Sequence, residues 1–135
     1  MATYLITGGA SGIGAATRQV LIEQGDTVIT VDIKDANICA DLSDPEARDA
    51  ATAKIRSDHP RIDGIVTCAG VASHFPDFSK ILDINYFGTR AMIEGLVDTI
   101  ENGKIPSSIY RTGGKFLWEG DEKDLPCWLS QFSKN

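Results

Sequence analysis

The apolar positions of the chain repeat with two different periods. Tyr4-Leu5-Ile6-Thr7, Thr27-Val28-Ile29-Thr30-Val31 and Ile65-Val66-Thr67-Cys68 are short runs rich in β-branched residues, bounded by glycine or aspartate, and each predicts a buried strand. Asn37-Ile38-Cys39-Ala40-Asp41-Leu42 predicts a further short strand. Between these runs the spacing becomes helical. One helix is expected from Ile13 to Gln24, with Gly25 as its stop. A second is expected from Pro45 to Ser57, opened by Ser43-Asp44 before a first-turn proline and closed by His59-Pro60. From Phe78, the positions of Ile81, Leu82, Ile84, Phe87, Ala91, Met92, Leu96, Val97 and Ile100 form the stripe of one long amphipathic helix. Strands and helices that alternate in this way make parallel βαβ units.

The first strand runs directly into Gly8-Gly9-Ala10-Ser11-Gly12-Ile13-Gly14. Glycines at a strand-to-helix turn permit positive φ, let a ligand approach the main chain, and let the helix start pack on the strand. The exposed N–H groups and positive dipole end of the helix then make a site for phosphate or pyrophosphate. Gly8, Gly12 and Gly14 are spaced Gly-x-x-x-Gly-x-Gly, which differs from the common Gly-x-Gly-x-x-Gly fingerprint. Asp32 ends the second strand, where a carboxylate accepts hydrogen bonds from adenosine ribose hydroxyls and repels a 2′-phosphate, so NAD is expected in preference to NADP. Lys34, two residues on, is a basic group that works against this preference. Ala69 and Gly70, at the exit of the fourth strand, keep side chains out of the path of a cofactor.

Thr7-Gly8-Gly9-Ala10-Ser11-Gly12-Ile13-Gly14 resembles the cofactor-binding signature Thr-Gly-x-x-x-Gly-x-Gly of the short-chain dehydrogenase/reductase family, at the same place near the N-terminus. Thr67-Cys68-Ala69-Gly70 partly matches the family's Asn-Asn-Ala-Gly, with Cys68 in place of the second asparagine. The contexts Gly-Ile-Gly-Ala-Ala-Thr-Arg, Val-Asp-Ile-Lys-Asp-Ala and Asn85-Tyr86-Phe87-Gly88 are especially similar to the bacterial 3α-hydroxysteroid dehydrogenase/carbonyl reductase group. The resemblance implies that Asp41, with Leu42, lies beside the adenine ring, and that Asn85 belongs to the catalytic group. It covers about residues 2 to 103, the first half of the family's length.

Beyond that point the match stops. Gly103-Lys104-Ile105 reads as the start of an expected fifth strand, which Pro106 interrupts. In the family this strand leads to a catalytic serine that polarises a substrate carbonyl, followed by a Tyr-x-x-x-Lys pair. One helical turn places that lysine beside the tyrosine, lowering its pKa. Here Ser107-Ser108 stands at the serine position and Tyr110 is the downstream tyrosine, but Lys115 is one residue too far and Gly113-Gly114 intervenes. A relay would have to use Asn85, Ser108 and Tyr110 as a non-standard donor. The stretch from Tyr110 to Asn135 holds Trp118, Trp128 and an acidic run without helical or strand period. A foreign tail, a lid over the cleft and an aromatic patch closing a sheet edge are all open readings of it.

Composition narrows the setting. The 135 residues are 42% hydrophobic and 24% charged, as in a globular domain, with a net charge of −6 that disfavours nucleic acid or an anionic membrane surface as partner. No basic-plus-apolar leader and no apolar run of roughly 20 residues is present, so a cytoplasmic protein without a membrane span is expected. Cys39, Cys68 and Cys127 form neither a disulfide framework nor a metal-ligand pattern, and no metal is expected.

The expected fold is therefore α/β, a three-layer Rossmann-type parallel sheet in the order 3-2-1-4-5, truncated relative to the full family fold. Residues 1–105 are expected to form a dinucleotide-binding domain and 106–135 an atypical tail. NAD is expected at Gly8, Ser11, Gly12, Ile13, Gly14, Asp32, Asp41, Leu42, Ala69 and Gly70. Hydride would move to or from a hydroxyl/carbonyl pair, on a steroid or other hydrophobic ketone. The alternative is a dinucleotide-binding module, or truncated relic, without turnover. A half sheet with an unpaired edge predicts a homo-oligomer.

Overall fold

The computed structural model describes residues 1–72 and 74–100. Four parallel strands, β1 (Thr3–Thr7), β2 (Thr27–Asp32), β3 (Ile38–Cys39) and β4 (Gly64–Thr67), form one sheet in the order β3-β2-β1-β4. This is the Rossmann-type order expected for the first four strands. The fifth strand expected at Gly103–Ile105, the expected boundary at 105/106 and the tail lie outside the described residues. Just before them, a parallel bridge joins Ile62 to Ile100.

β1 is the central strand, paired with β2 from Thr3↔Thr27 to Thr7↔Val31 and with β4 from Tyr4↔Gly64 to Thr7↔Thr67. Alternate residues of a strand face opposite sides. Leu5, Ile29, Val31 and Ile65 point to one face, where they join Ala51 and Ile55 of α2 (Pro45–Asp58), Ile62, and Met92 and Leu96 of α4 (Thr89–Leu96) in one buried cluster. Ile6 and Thr30 face the other side and are also buried. α1 (Gly12–Glu23) connects β1 to β2 and packs on both. A bidentate pair between Arg56 and Asp98, with Arg56 also donating to the Gly95 carbonyl, fastens α2 to the end of α4.

Two elements differ from the sequence pattern. The third strand is only Ile38–Cys39, because Asn37 turns the chain through its own side chain: its Oδ1 accepts from the N–H and hydroxyl of Thr30. Ala40 still donates to the Asp32 carbonyl, after which the Asp41 carboxylate takes the N–H and hydroxyl of Ser43 and ends the ladder. The long helix from Phe78 is also not uniform. It comprises α3 (Phe78–Leu82), a π-helical segment (Asp83–Gly88) and α4, followed by a 3₁₀ turn (Val97–Thr99). The π winding turns the stripe out of phase. Met92, Leu96 and Ile100 are buried as the spacing requires, whereas Leu82, Phe87 and Val97 are exposed.

Candidate dinucleotide site

The cavity at the C-terminal ends of the strands has a volume of about 320 Å³. Crevices at this end of an open parallel sheet, where the strand order reverses, are the general ligand site of such folds. The strand-to-helix turn provides its floor through Gly8, Ser11, Gly12, Ile13 and Gly14. Asp32 and Ile33 enter from the end of β2, and Ala40, Asp41 and Leu42 from the stretch after β3. Cys68, Ala69, Gly70 and Val71 come from the exit of β4, and Ile84 from the π segment. All ten residues expected at a cofactor therefore meet in one place. Ile33, Ala40, Cys68, Val71 and Ile84 were not anticipated there. Cys68 stood out in the sequence only as a departure from a motif, and the other four carry no local signal.

The turn is built by close approach. Gly8 has φ of +72°, and a Cβ on it would lie 2.6 Å from the Ala69 nitrogen. A Cβ on Gly14 would strike the Gly8 carbonyl oxygen, so this glycine packs the helix start onto the turn. Gly12, with φ of +55°, has open space around it and lines the cavity. Thr7 ties the turn to β4, its carbonyl accepting from the Cys68 N–H at 2.9 Å and its hydroxyl from the Ala69 N–H at 3.2 Å.

α1 begins at this turn without a cap. Ser11 occupies the N-cap position in extended conformation, but its side chain makes no capping hydrogen bond, and the first turn contains no acidic residue. Two other helices, α2 and α3 (Phe78–Leu82), open instead with a capping aspartate. Asp44 accepts from the Glu46 N–H on α2, and Asp77 from the N–H groups of Ser79 and Lys80 on α3. The start of α1 thus presents first-turn N–H groups and a positive dipole end to the cavity, as an anion requires.

Asp32 is held rather than loosely solvated. One carboxylate oxygen accepts from the Ala10 N–H at 3.0 Å and the other from the Ile33 N–H at 2.7 Å, which fixes it between the glycine turn and its own strand end. A carboxylate has about four acceptor positions, so sites remain for ribose hydroxyls. Asp41 is held below the usual carboxylate range, chiefly by the Ser43 hydroxyl and then by the Ser43 N–H, with smaller contributions from Lys80 and Arg48. Burial pushes the Cys68 thiol up, so it is neutral near pH 7.

Asn85, in the π segment, faces the β4 exit. Its Oδ1 accepts from the Val71 N–H at 2.8 Å and its Nδ2 donates to the Val71 carbonyl at 2.9 Å. Both ends of the amide are thereby engaged by one residue of the exit loop. Ser108 and Tyr110 lie outside the described residues. Among the described residues, no group of His, Cys, Asp and Glu is arranged to hold a metal ion, and no helix is long and apolar enough to cross a membrane.

The short chain dehydrogenase family matches residues 2–107 of the chain. The 3-alpha-hydroxysteroid dehydrogenase/carbonyl reductase of Comamonas testosteroni is 34% identical over 110 residues, 81% of this chain and 43% of that protein. A coniferyl-alcohol dehydrogenase of a Pseudomonas species is 37% identical over 105 residues, 73% of this chain and 40% of that protein. The crystal structure of the 3-alpha-hydroxysteroid dehydrogenase from Pseudomonas sp. B-0831 complexed with NADH superposes with a TM-score of 0.70 at 41% identity, covering 72% of this chain and 39% of that one. The chain thus spans less than half the length of these relatives. With the glycine turn, the Asp32 carboxylate and the Rossmann-type strand order together at one cavity, the chain belongs to the short chain dehydrogenase family.

Proposed function

We propose that the chain binds NAD(H) in this cavity and serves hydride transfer between the nicotinamide and a hydroxyl/carbonyl pair on a hydrophobic substrate, such as a steroid or other ketone. The observation that carries the reading is the uncapped start of α1 beside the fixed Asp32 carboxylate: one recognises pyrophosphate, the other the ribose hydroxyls. Asp41 and Leu42 flank the adenine, and Ala69 and Gly70 leave the passage toward the nicotinamide open. The bound NADH of the Pseudomonas relative supports the same cofactor here. When bound, the nicotinamide supplies the hydride. Asn85 takes part by holding the exit loop at Val71, and Ser108 and Tyr110 are the remaining candidates for polarising the carbonyl and moving the proton.

The protein works in the cytoplasm as a homo-oligomer. The exposed side chains of Phe78, Leu82, Tyr86 and Phe87 offer the pairing surface, and a monomer mass by light scattering at micromolar concentration would remove that part. A second reading, a dinucleotide-binding module without turnover, is supported by the place just after Ser107-Ser108, where Tyr110 has Gly114 four positions on instead of lysine.

Fluorescence titration of the purified chain with NADH and NADPH tests the cofactor reading. NADH should bind about tenfold more tightly than NADPH, a difference of about 1.4 kcal/mol. No binding of either by a folded sample would end this reading. Binding of NADH without turnover across a screen of hydrophobic ketones would select the module.

A further inference from the structure

Arg48, on the inner side of α2, is 8% exposed. Arginine is rarely buried this far unless its donors are satisfied. Its hydrogen bonds among the described residues run to three main-chain carbonyls. The Nε–H donates to Leu42 at 2.6 Å, and Nη2 donates to Ser43 at 3.3 Å and to Asp83 at 2.9 Å.

These carbonyls belong to two stretches that line the cavity separately. Leu42 lies in the cavity wall beside Asp41 and Ser43 follows it in the chain, whereas Asp83 opens the π segment, whose Ile84 lines the cavity. The two are also packed together at the segment's other end, where a Cβ on Gly88 would lie 3.1 Å from both the Cβ and the carbonyl oxygen of Leu42. Inside the segment, Asn85 grips Val71. A continuous path of bonds therefore leads from the Asp41–Leu42 wall through Arg48, Asp83 and Asn85 to the exit loop of β4.

We propose that Arg48 is a positioning residue that couples these two walls, so that occupation of the Asp41–Leu42 side firms the exit loop at Val71. The proposal rests on the cofactor reading above for the nature of its ligand. The planar guanidinium suits the task because its donors point in fixed directions toward two separate backbones, whereas a lysine ammonium is a single point of charge. The π segment is where the path reaches the exit loop, since it carries both Asp83 and Asn85. π turns occur as single insertions in α-helices, often at functional sites. Removing the extra residue rotates the register by about 100°, the angle of one residue in 3.6 per turn, and carries Asn85 off Val71.

The test is amide hydrogen exchange of the full chain with and without AMP, a probe that carries only the adenosine end of the cofactor. In the wild type, AMP should slow exchange at 41–43 and, by about fivefold, at Val71. In Arg48→Lys and Arg48→Met, checked for folding by circular dichroism, the response at 41–43 should persist and that at Val71 should vanish. Asn85→Ala cuts the same path at its far end without touching the buried guanidinium, and should also lose the Val71 response. Absence of the Val71 response in AMP-bound wild type, or its persistence in any folded variant, overturns the proposal. Failure of the folded wild type to bind AMP strikes the cofactor reading instead. The coupling is then read without ligand: Arg48→Lys should speed exchange at Val71 by about fivefold relative to β1, and an unchanged rate overturns it.

Discussion

At the scale of single residues, the glycines of the first turn do different work. Gly12 faces open space with positive φ, so alanine there costs about 1–2 kcal/mol of backbone strain and places a methyl group in the cavity. Gly12→Ala should therefore fold and bind NADH more weakly. Gly14→Ala puts its methyl into the Gly8 carbonyl and should lower the thermal midpoint more than Gly12→Ala does, whatever happens to binding. Paired melts and titrations separate the two. Asp32→Ala frees the Ala10 and Ile33 N–H groups and removes the charge facing a 2′-phosphate. NADH affinity should fall and NADPH affinity should not, bringing their ratio near one, and unchanged selectivity would remove Asp32 from the ribose site. Cys39 is exposed whereas the Cys68 thiol is raised by burial, so iodoacetamide at pH 7 should label Cys39 before Cys68. Labelling of Cys68, mapped by mass spectrometry, should need alkaline pH and be slowed by NADH.

At the scale of elements, α3 gives a pH-dependent outcome. Asp77 caps it and is held below the ordinary value of 3.8, first by the Ser79 hydroxyl and then by the Lys80 N–H. A carboxylate lowered in the folded state contributes stability above its unfolded value and loses it as pH falls through the folded one. The amides of Ser79 and Lys80 should thus lose exchange protection only below the ordinary aspartate range, and Asp77→Ala should abolish that step. The elements also show how far the sequence could be read. Strand, turn and helix at the N-terminus were legible because a β-branched run, glycines at a turn and an apolar period are local demands of the backbone, and Asp32 was legible from its distance beyond them. The π segment was not. A stripe from Ile81 to Ile100 fits a uniform helix equally well, and the extra residue is imposed by the contacts of Gly88 on Leu42 and Asp83 on Arg48. Ile33, Ala40, Val71 and Ile84 reach the cavity only because the sheet and the segment fold around it. Arg48 was hidden for the same reason, being one charge among several on a polar helix.

At the scale of the molecule, one cluster beneath the sheet joins strands, α2 and α4, so its loss should be felt everywhere. Leu96→Ala empties a fully buried site and should cost about 2–5 kcal/mol in urea unfolding. NADH at about one hundredfold its Kd should return about 2.7 kcal/mol, because only the folded chain has the cavity.

The unmet first turn of α1 places folding and binding in opposition. A helix whose first turn lacks a side-chain acceptor is less stable than a capped one, and losing such a cap costs about 0.5–2 kcal/mol in comparable helices. Ser11→Asp would supply that acceptor and a favourable charge at the dipole, and should raise the melting temperature of the empty protein. The same carboxylate would occupy the N–H groups and repel a phosphate, so the more robust variant should be the one that no longer binds dinucleotide. The N–H groups that a cap would satisfy are the ones the proposed dinucleotide would take, so a gain in the stability of the empty protein is a loss in its affinity.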